Sequence, residues 1–219
     1  MPAIRAMLVL LICALTVCVG DGTLFEDDFR GKLGPGWSWL REHRDAWRAS
    51  EGGLEVRIEP GNMWGPANDA KNVLLRAAPE AGDEGLEVSA QVENRPTNQY
   101  EQVDLVWYYD DGHMVKLGEE LVDGKLSVVM GREEKDRTRT IAIIPLDSFI
   151  VRLRLSVQKG RIQGHFQPGG SGQWHAAGEC DLPARGDGKP QISLQFYQGV
   201  ADVEHWARVT EFRILKLGR

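Results

Sequence analysis

Cysteine is scarce in this chain. Three occur in 219 residues: Cys13, Cys18 and Cys180. The first two fall in an apolar N-terminal run, so Cys180 stands alone beyond it and no internal disulfide is available. Stability must come from packing, whatever the redox compartment. Cys180 reads as a small buried hydrophobe, with no histidine beside it in sequence. A basic excess is also missing, since 26 Lys and Arg face 32 Asp and Glu. A net acidic chain without a basic block excludes nucleic acid as the main partner and argues against an anionic membrane surface. The five histidines, His43, His113, His165, His175 and His205, show neither His-x-His nor His-Glu-x-x-His spacing. A zinc centre is therefore not expected. A Ser-His-Asp elbow and a phosphate-type glycine loop are lacking too. So are a long amphipathic helix, an internal repeat and a linker.

The N-terminus carries the one long uncharged run. Arg5 precedes residues 7–19, which hold no charge, and Gly20 precedes Asp21. The run is short for a membrane span, which takes about 20 apolar residues, and its pattern is that of an export signal. Two alternatives stay open: an uncleaved anchor, and a lipid anchor at Cys18, ranked lower because Val17 is large. The expected organisation is a signal peptide over residues 1–20 and one domain over 21–219, with no membrane span in the mature chain. Its location would be secreted, periplasmic or at the cell surface. That length suits one all-β domain.

Strand-like runs recur between Gly, Asp, Asn and Pro punctuation. Phe149, Val151, Leu153, Leu155 and Val157 form the cleanest period-two series, with Arg152, Arg154 and Ser156 on the other face. Leu86, Val88, Ala90 and Val92 alternate likewise, as do Leu126, Val128 and Met130, and Ile192, Leu194 and Phe196. Residues 54–58, 73–75, 141–144, 162–166 and 206–215 are further candidates. About a dozen short strands with one apolar face each predict an all-β fold, a two-sheet antiparallel β-sandwich.

Residues 99–117 are the most informative segment. Two alternating runs meet at Asp110-Asp111-Gly112, which predicts a hairpin closed by a three-residue loop with glycine in a left-handed position. Tyr109 would then oppose His113, and Trp107 would oppose Val115. Val103, Leu105, Trp107, Val115 and Leu117 would face the core. Tyr100, Gln102, Asp104, Tyr108, Met114 and Lys116 would share the other face. A two-residue loop would slip this pairing by one.

The same segment resembles a known family. Glu101-Gln102, the run through Trp107, Tyr108-Tyr109, the Asp-rich turn and Val115-Lys116-Leu117 are similar to the C-terminal concanavalin-A-like domain of β-xylosidases and related secreted proteins. Supporting marks are Asp27-Asp28-Phe29, Trp37, Trp39, Trp47, Gly53-Leu54, Asn72-Val73-Leu74-Leu75, Val209, Glu211-Phe212 and Ile214. The resemblance spans about residues 25–215. It implies a concanavalin-A-like jelly roll with one convex and one concave sheet, sugars lying across the concave face. It also implies that the first and last strands pair, bringing Asp28 near Phe212. One departure stands out: Val103-Asp104 replaces the small residues of the family pattern. The xylosidase catalytic domain is not expected, since no length remains for it.

These readings set the functional candidates. Pyranose rings present C–H bonds to aromatic faces and hydroxyls to planar polar groups. The expected glycan contacts are Tyr100, Gln102, Asp104, Tyr108 and Lys116, with Trp64 at the rim. The partner would be a polysaccharide or oligosaccharide, and the domain a non-catalytic binding or accessory module. The rival is a glycoside hydrolase or lyase with an unfamiliar acid pair, Asp104 with Glu119 or Glu101 with Glu120, meeting across strands. Such pairs stand about 5–9.5 Å apart. Glu179-Cys180-Asp181 lacks the following Glu of the glucanase signature. A third reading is a structural or interaction domain at the cell surface, with a large apolar patch. Arg152 and Arg154 are candidates for a uronate, or for ion pairs with Glu133, Glu134 or Asp136. No cofactor is expected. A structural calcium held by Asp27 and Asp28 is the low-ranked exception that related jelly rolls suggest.

Overall fold

The computed structural model describes residues 22–218 apart from 81, 170, 171 and 187. The expected signal over residues 1–20 lies outside them. In chain order the strands are β1 (Thr23–Asp27), β2 (Trp37–Leu40), β3 (Trp47–Ser50), β4 (Gly53–Arg57), β5 (Val73–Ala77), β6 (Leu86–Glu93), β7 (Gln102–Asp110) and β8 (His113–Val122). They continue with β9 (Lys125–Glu134), β10 (Arg137–Pro145), β11 (Ile150–Gln158), β12 (Arg161–Pro168), β13 (His175–Asp181), β14 (Gln191–Tyr197) and β15 (Trp206–Lys216). Helical structure among the described residues is limited to two 3₁₀ turns, Arg44–Ala46 and Gly82–Glu84.

All pairings are antiparallel and form two sheets. One runs β13-β12-β11-β6-β15-β4-β3 with β1 also on β15, and the other runs β10-β9-β8-β7-β14-β5-β2. Period-two burial builds the core between them. Val151, Leu153, Leu155 and Val157 point inward from β11, and Val103, Leu105, Trp107, Val115 and Leu117 meet them from β7 and β8. The fold is the expected two-sheet sandwich.

The first and last strands pair as anticipated, with Asp27 opposite Phe212. Asp27 is a structural latch. Its carboxylate accepts hydrogen bonds from the Phe29 amide (2.8 Å), the Gly34 amide (2.8 Å) and the Trp37 indole (2.9 Å). These bonds draw residues 28–37 over the sheet edge, where Trp37 stacks edge-on against Phe212 at 4.9 Å. Asp28 pairs with Arg30 instead. Asp27's oxygens are thus engaged in holding the N-terminal segment. Among the described residues no group of three or more His, Cys, Asp or Glu is placed to hold a metal ion.

Three local expectations need correction. The β7–β8 loop has two residues, Asp111 and Gly112, and Asp110 opposes His113. A bulge at Tyr109 absorbs the slip, so Trp107 still opposes Val115 and the assigned faces survive. Gly112 is not left-handed. A Cβ there would stand 2.9 Å from Asp136 Oδ1, a contact that a turn of that side chain relieves. Phe149 falls outside β11 and is exposed, covered in part by the Arg95 guanidinium 4.9 Å from its ring. Arg152 and Arg154 pair with Glu211 and Glu87, not with the acids of β9.

Gly118 on β8 exposes a close approach. A Cβ built there would lie 1.8 Å from Asp104 Oδ1 and 2.6 Å from the Val103 carbonyl. Gly118→Ala should lower stability by about 1–3 kcal/mol, the cost of overpacking, read as a lower denaturant midpoint. An unchanged midpoint would contradict the placement of Asp104.

Candidate functional site

The outer face of the seven-stranded sheet gathers Gln102, Asp104 and Tyr108 from β7 with Met114, Lys116 and Glu120 from β8. Residues 58–72, between β4 and β5, fold over much of this face. Asn62 organises that loop: its side-chain oxygen accepts from the Met63 and Trp64 amides, and its amide nitrogen donates to the Trp64 carbonyl. Its backbone carbonyl accepts from the Asp69 and Ala70 amides. Met63 and Ala70 then pack on Val106, Tyr108, Met114 and Tyr197 as a second apolar cluster, separate from the main core. Arg41 ties the loop down, donating to the Ala70 carbonyl (2.7 Å) and to Asp111 (2.8 Å). The Tyr108 hydroxyl donates to the same Asp111 at 2.7 Å.

Trp64 extends from this loop across β9. Gly131 makes room for it, since a Cβ there would fall 2.5 Å from the indole ring. The Lys116 ammonium lies 4.8 Å from the Trp64 ring centroid and 5.8 Å from that of Tyr197, both within cation–π range. Lys116 also donates to Gln102 Oε1 and, at 3.0 Å, to Glu120.

An open hollow of about 510 Å³ remains beside this group. Trp64, Tyr100, Gln102, Lys116 and Glu120 line it together with Asn62, Asp123, Thr140, Ile143 and Gln198. Tyr100 is 49% exposed and its backbone has φ 67°, rare for a bulky residue. Its amide donates to the Leu121 carbonyl, and its carbonyl accepts from Gln102 Nε2. Those bonds hold the turn and leave the ring facing solvent. Four of the six anticipated contacts therefore share one hollow. Asp104 and Tyr108 do not line it; both are buried, Tyr108 beneath the loop, and of the residues that do line it Gln102, Lys116 and Glu120 are buried at its floor while Tyr100 is exposed. Glu120 was not anticipated, although its parity with Lys116 on β8 was readable.

Charge behind the hollow is unusual. Burial pushes the Asp104 carboxyl up to about 6, opposed by the Lys116 ammonium and reinforced by Glu120. Glu133 accepts the Gly65 amide at 3.1 Å, yet burial pushes it up to about 7. The fully buried Tyr197 phenol is raised as well, by burial and by Asp104. Asp104 faces Gly118 on β8 and Gln195 on β14, so the family's missing side chain is offset by a glycine across the strand.

The hydrolase acid pairs do not converge. Glu119 sits opposite Val103 and thus on the inward face of β8, away from Asp104. It is fully buried and pushed up to about 9 by burial, then by Glu93 and Glu101. Glu101 is engaged by His205 and by the Thr97 and Asn98 amides, away from Glu120. Cys180 is a buried free thiol, raised by that burial.

The family model for the β-xylosidase C-terminal concanavalin A-like domain matches residues 26–188. The chain belongs to this family. A search of curated protein sequences finds no match. Among solved structures, the GH43 protein BlXynB of Bacillus licheniformis is 18% identical with a TM-score of 0.76, over 87% of this chain and 39% of its own. A xylan β-1,4-xylosidase of Bacillus halodurans is 18% identical with a TM-score of 0.73, over 87% and 38%. A functionally unknown protein of Saccharomyces cerevisiae is 14% identical with a TM-score of 0.66, over 84% of this chain and 98% of its own. The chain thus spans about two-fifths of the two Bacillus proteins. Likeness at such identity shows the fold alone.

The raised acids make stability depend on pH. An acid raised by folding keeps its proton longer in the native state than in the unfolded chain. Stability from Asp104, Glu133 and Glu119 is therefore full below about pH 4 and falls as pH rises through about 6, 7 and 9. Each tenfold change in proton affinity is worth about 1.4 kcal/mol. Asp104→Asn should flatten the decline between about pH 4 and 6, and Glu133→Gln that between about pH 4 and 7, in thermal melts. A wild-type melting temperature constant across those ranges would contradict the burial described.

Proposed function

We propose that the protein is an exported, non-catalytic accessory domain that binds a glycan in the hollow beside Trp64 and Tyr100. The observation that carries this reading is the pairing of one exposed aromatic ring with a fixed polar group. Tyr100 offers a face to sugar C–H bonds, Asp123 and Thr140 are the exposed polar groups on the same lining, and Lys116, Gln102 and Glu120, buried and bonded to one another, form the floor. Lys116 is held on three sides and fixes the floor of the hollow without reordering. An open hollow buries little ligand, so affinity should be weak to moderate. Export rests on the N-terminal pattern, and the β-xylosidase relatives make xylan the first polysaccharide to test.

The hydrolase reading is disfavoured because both acid pairs face different sides of the sheet. No helix among the described residues is long and apolar enough to cross a membrane. The polysaccharide partner is inferred from the hollow itself.

Affinity electrophoresis in soluble xylans and glucans tests the proposal. Wild-type protein should be retarded by at least one of them. Tyr100→Ala should weaken retardation roughly tenfold, the scale of 1.4 kcal/mol, with an unchanged melting temperature because the ring is exposed. Reducing-sugar release should be absent. Lack of retardation across the panel, or full retention in Tyr100→Ala, would contradict the proposal.

A further inference from the structure

A second and larger hollow, about 970 Å³, opens at the other end of β7. It forms where β5, β7, β11 and β13 end and β6, β12 and β14 begin. Its wall is apolar: Ala78, Leu86, Val157, Leu182 and Pro183 surround the rings of Trp107 and Tyr109. The end loops already satisfy one another, with the Ala78 amide donating to the Pro190 carbonyl and the Leu182 amide to the Gly160 carbonyl. The wall therefore presents side-chain surface more than free backbone.

The mouth has the opposite character. Lys159, Arg185 and Lys189 line it and are exposed, and among the described residues none of the three has an ion pair. Among the described residues Glu80 is the one acid on the lining, and nearby Asp110 is already held by His113 and the Gly112 amide. Lys159 has φ 50° and Gly160 φ 77°. That is the first position of a turn that ordinarily takes Asn, Asp or Gly. A lysine is thus held at the rim where its backbone is least comfortable. Three exposed cations, without an ion pair among the described residues, line the mouth of an apolar cavity in a chain of net charge −6.

We propose that this hollow binds a small amphiphilic anion, an apolar ring or short acyl body bearing a carboxylate. The body lies against Trp107 and Leu182, and the carboxylate meets Lys159, Arg185 and Lys189 at the mouth. The volume falls in the range of small-molecule sites. The cations are solvated, so they set charge selection more than affinity. The site shares no lining residue with the glycan hollow, and failure of glycan binding would leave it standing.

Calorimetry with naphthalene-2-carboxylate and its neutral carboxamide tests the proposal on the full chain. The carboxylate should bind at least tenfold more tightly, and 0.5 M NaCl should narrow that difference. The triple variant Lys159→Glu/Arg185→Glu/Lys189→Glu changes exposed positions only and should keep its melting temperature while losing the preference for the anion. Binding should quench tryptophan emission in wild type and much less in Trp107→Phe, which reports the ligand's position without charge change. Equal binding of the two probes, no binding of either, or full quenching in Trp107→Phe would overturn the proposal. So would concentration-dependent dimerisation abolished by the triple variant, which would give the surface to a second copy of the chain.

Discussion

The docking of residues 58–72 on the outer face of the seven-stranded sheet is the constraint from which the candidate site follows. A sheet in a sandwich needs only one apolar face, and its other face is free to be wet. Here the loop covers part of that second face with Met63 and Ala70, and Arg41 bonds to Asp111 and the Ala70 carbonyl to hold it there. What remains uncovered is a short stretch between Trp64 and Tyr100. The hollow exists because the loop stops at Trp64, and Trp64 stops where Gly131 lets it settle on β9.

Burial by the loop also explains the electrostatics. Lys116, Glu120, Asp104 and Glu133 would be ordinary surface charges on an open sheet. Burial raises Asp104 and Glu133, which hold their protons to higher pH than exposed carboxyls do. Glu120 keeps the direct bond to the ammonium, and Asp104 and Glu133 are the ones pushed upward. A lysine fixed by Gln102, Glu120 and two aromatic rings is a preorganised donor, which reduces the ordering cost of binding.

Much of the fold was legible because parity is a strong signal where strands are long. β6, β7, β8, β9, β11 and β14 all declared their inward faces, and parity grouped the side chains of the second face of β7 and β8, which the structure then buries. β1, β2, β3 and β13 did not declare theirs, since four to seven residues interrupted by Gly178 or held by the Asp27 latch carry too little alternation. The hairpin end was misread in detail, because a bulge at Tyr109 leaves no mark in the sequence and its effect cancels the shorter turn. The site was half legible. Parity placed Gln102, Asp104, Tyr108 and Lys116 on one surface, but it cannot say what lies above that surface. Asn62's bonds shape the loop locally, but Arg41's reach to Ala70 and Asp111 spans sequence separations that no local pattern encodes, and that docking covers Tyr108 while Tyr100 stays exposed.

Hydrogen exchange resolved at single amides tests the docked loop most directly. The Met63, Trp64, Gly65 and Ala70 amides should be protected in the wild-type protein and should lose protection in Arg41→Ala, while β7 and β8 stay protected. Loop amides that exchange at free-chain rates in the wild type, over an intact sheet, would contradict the account.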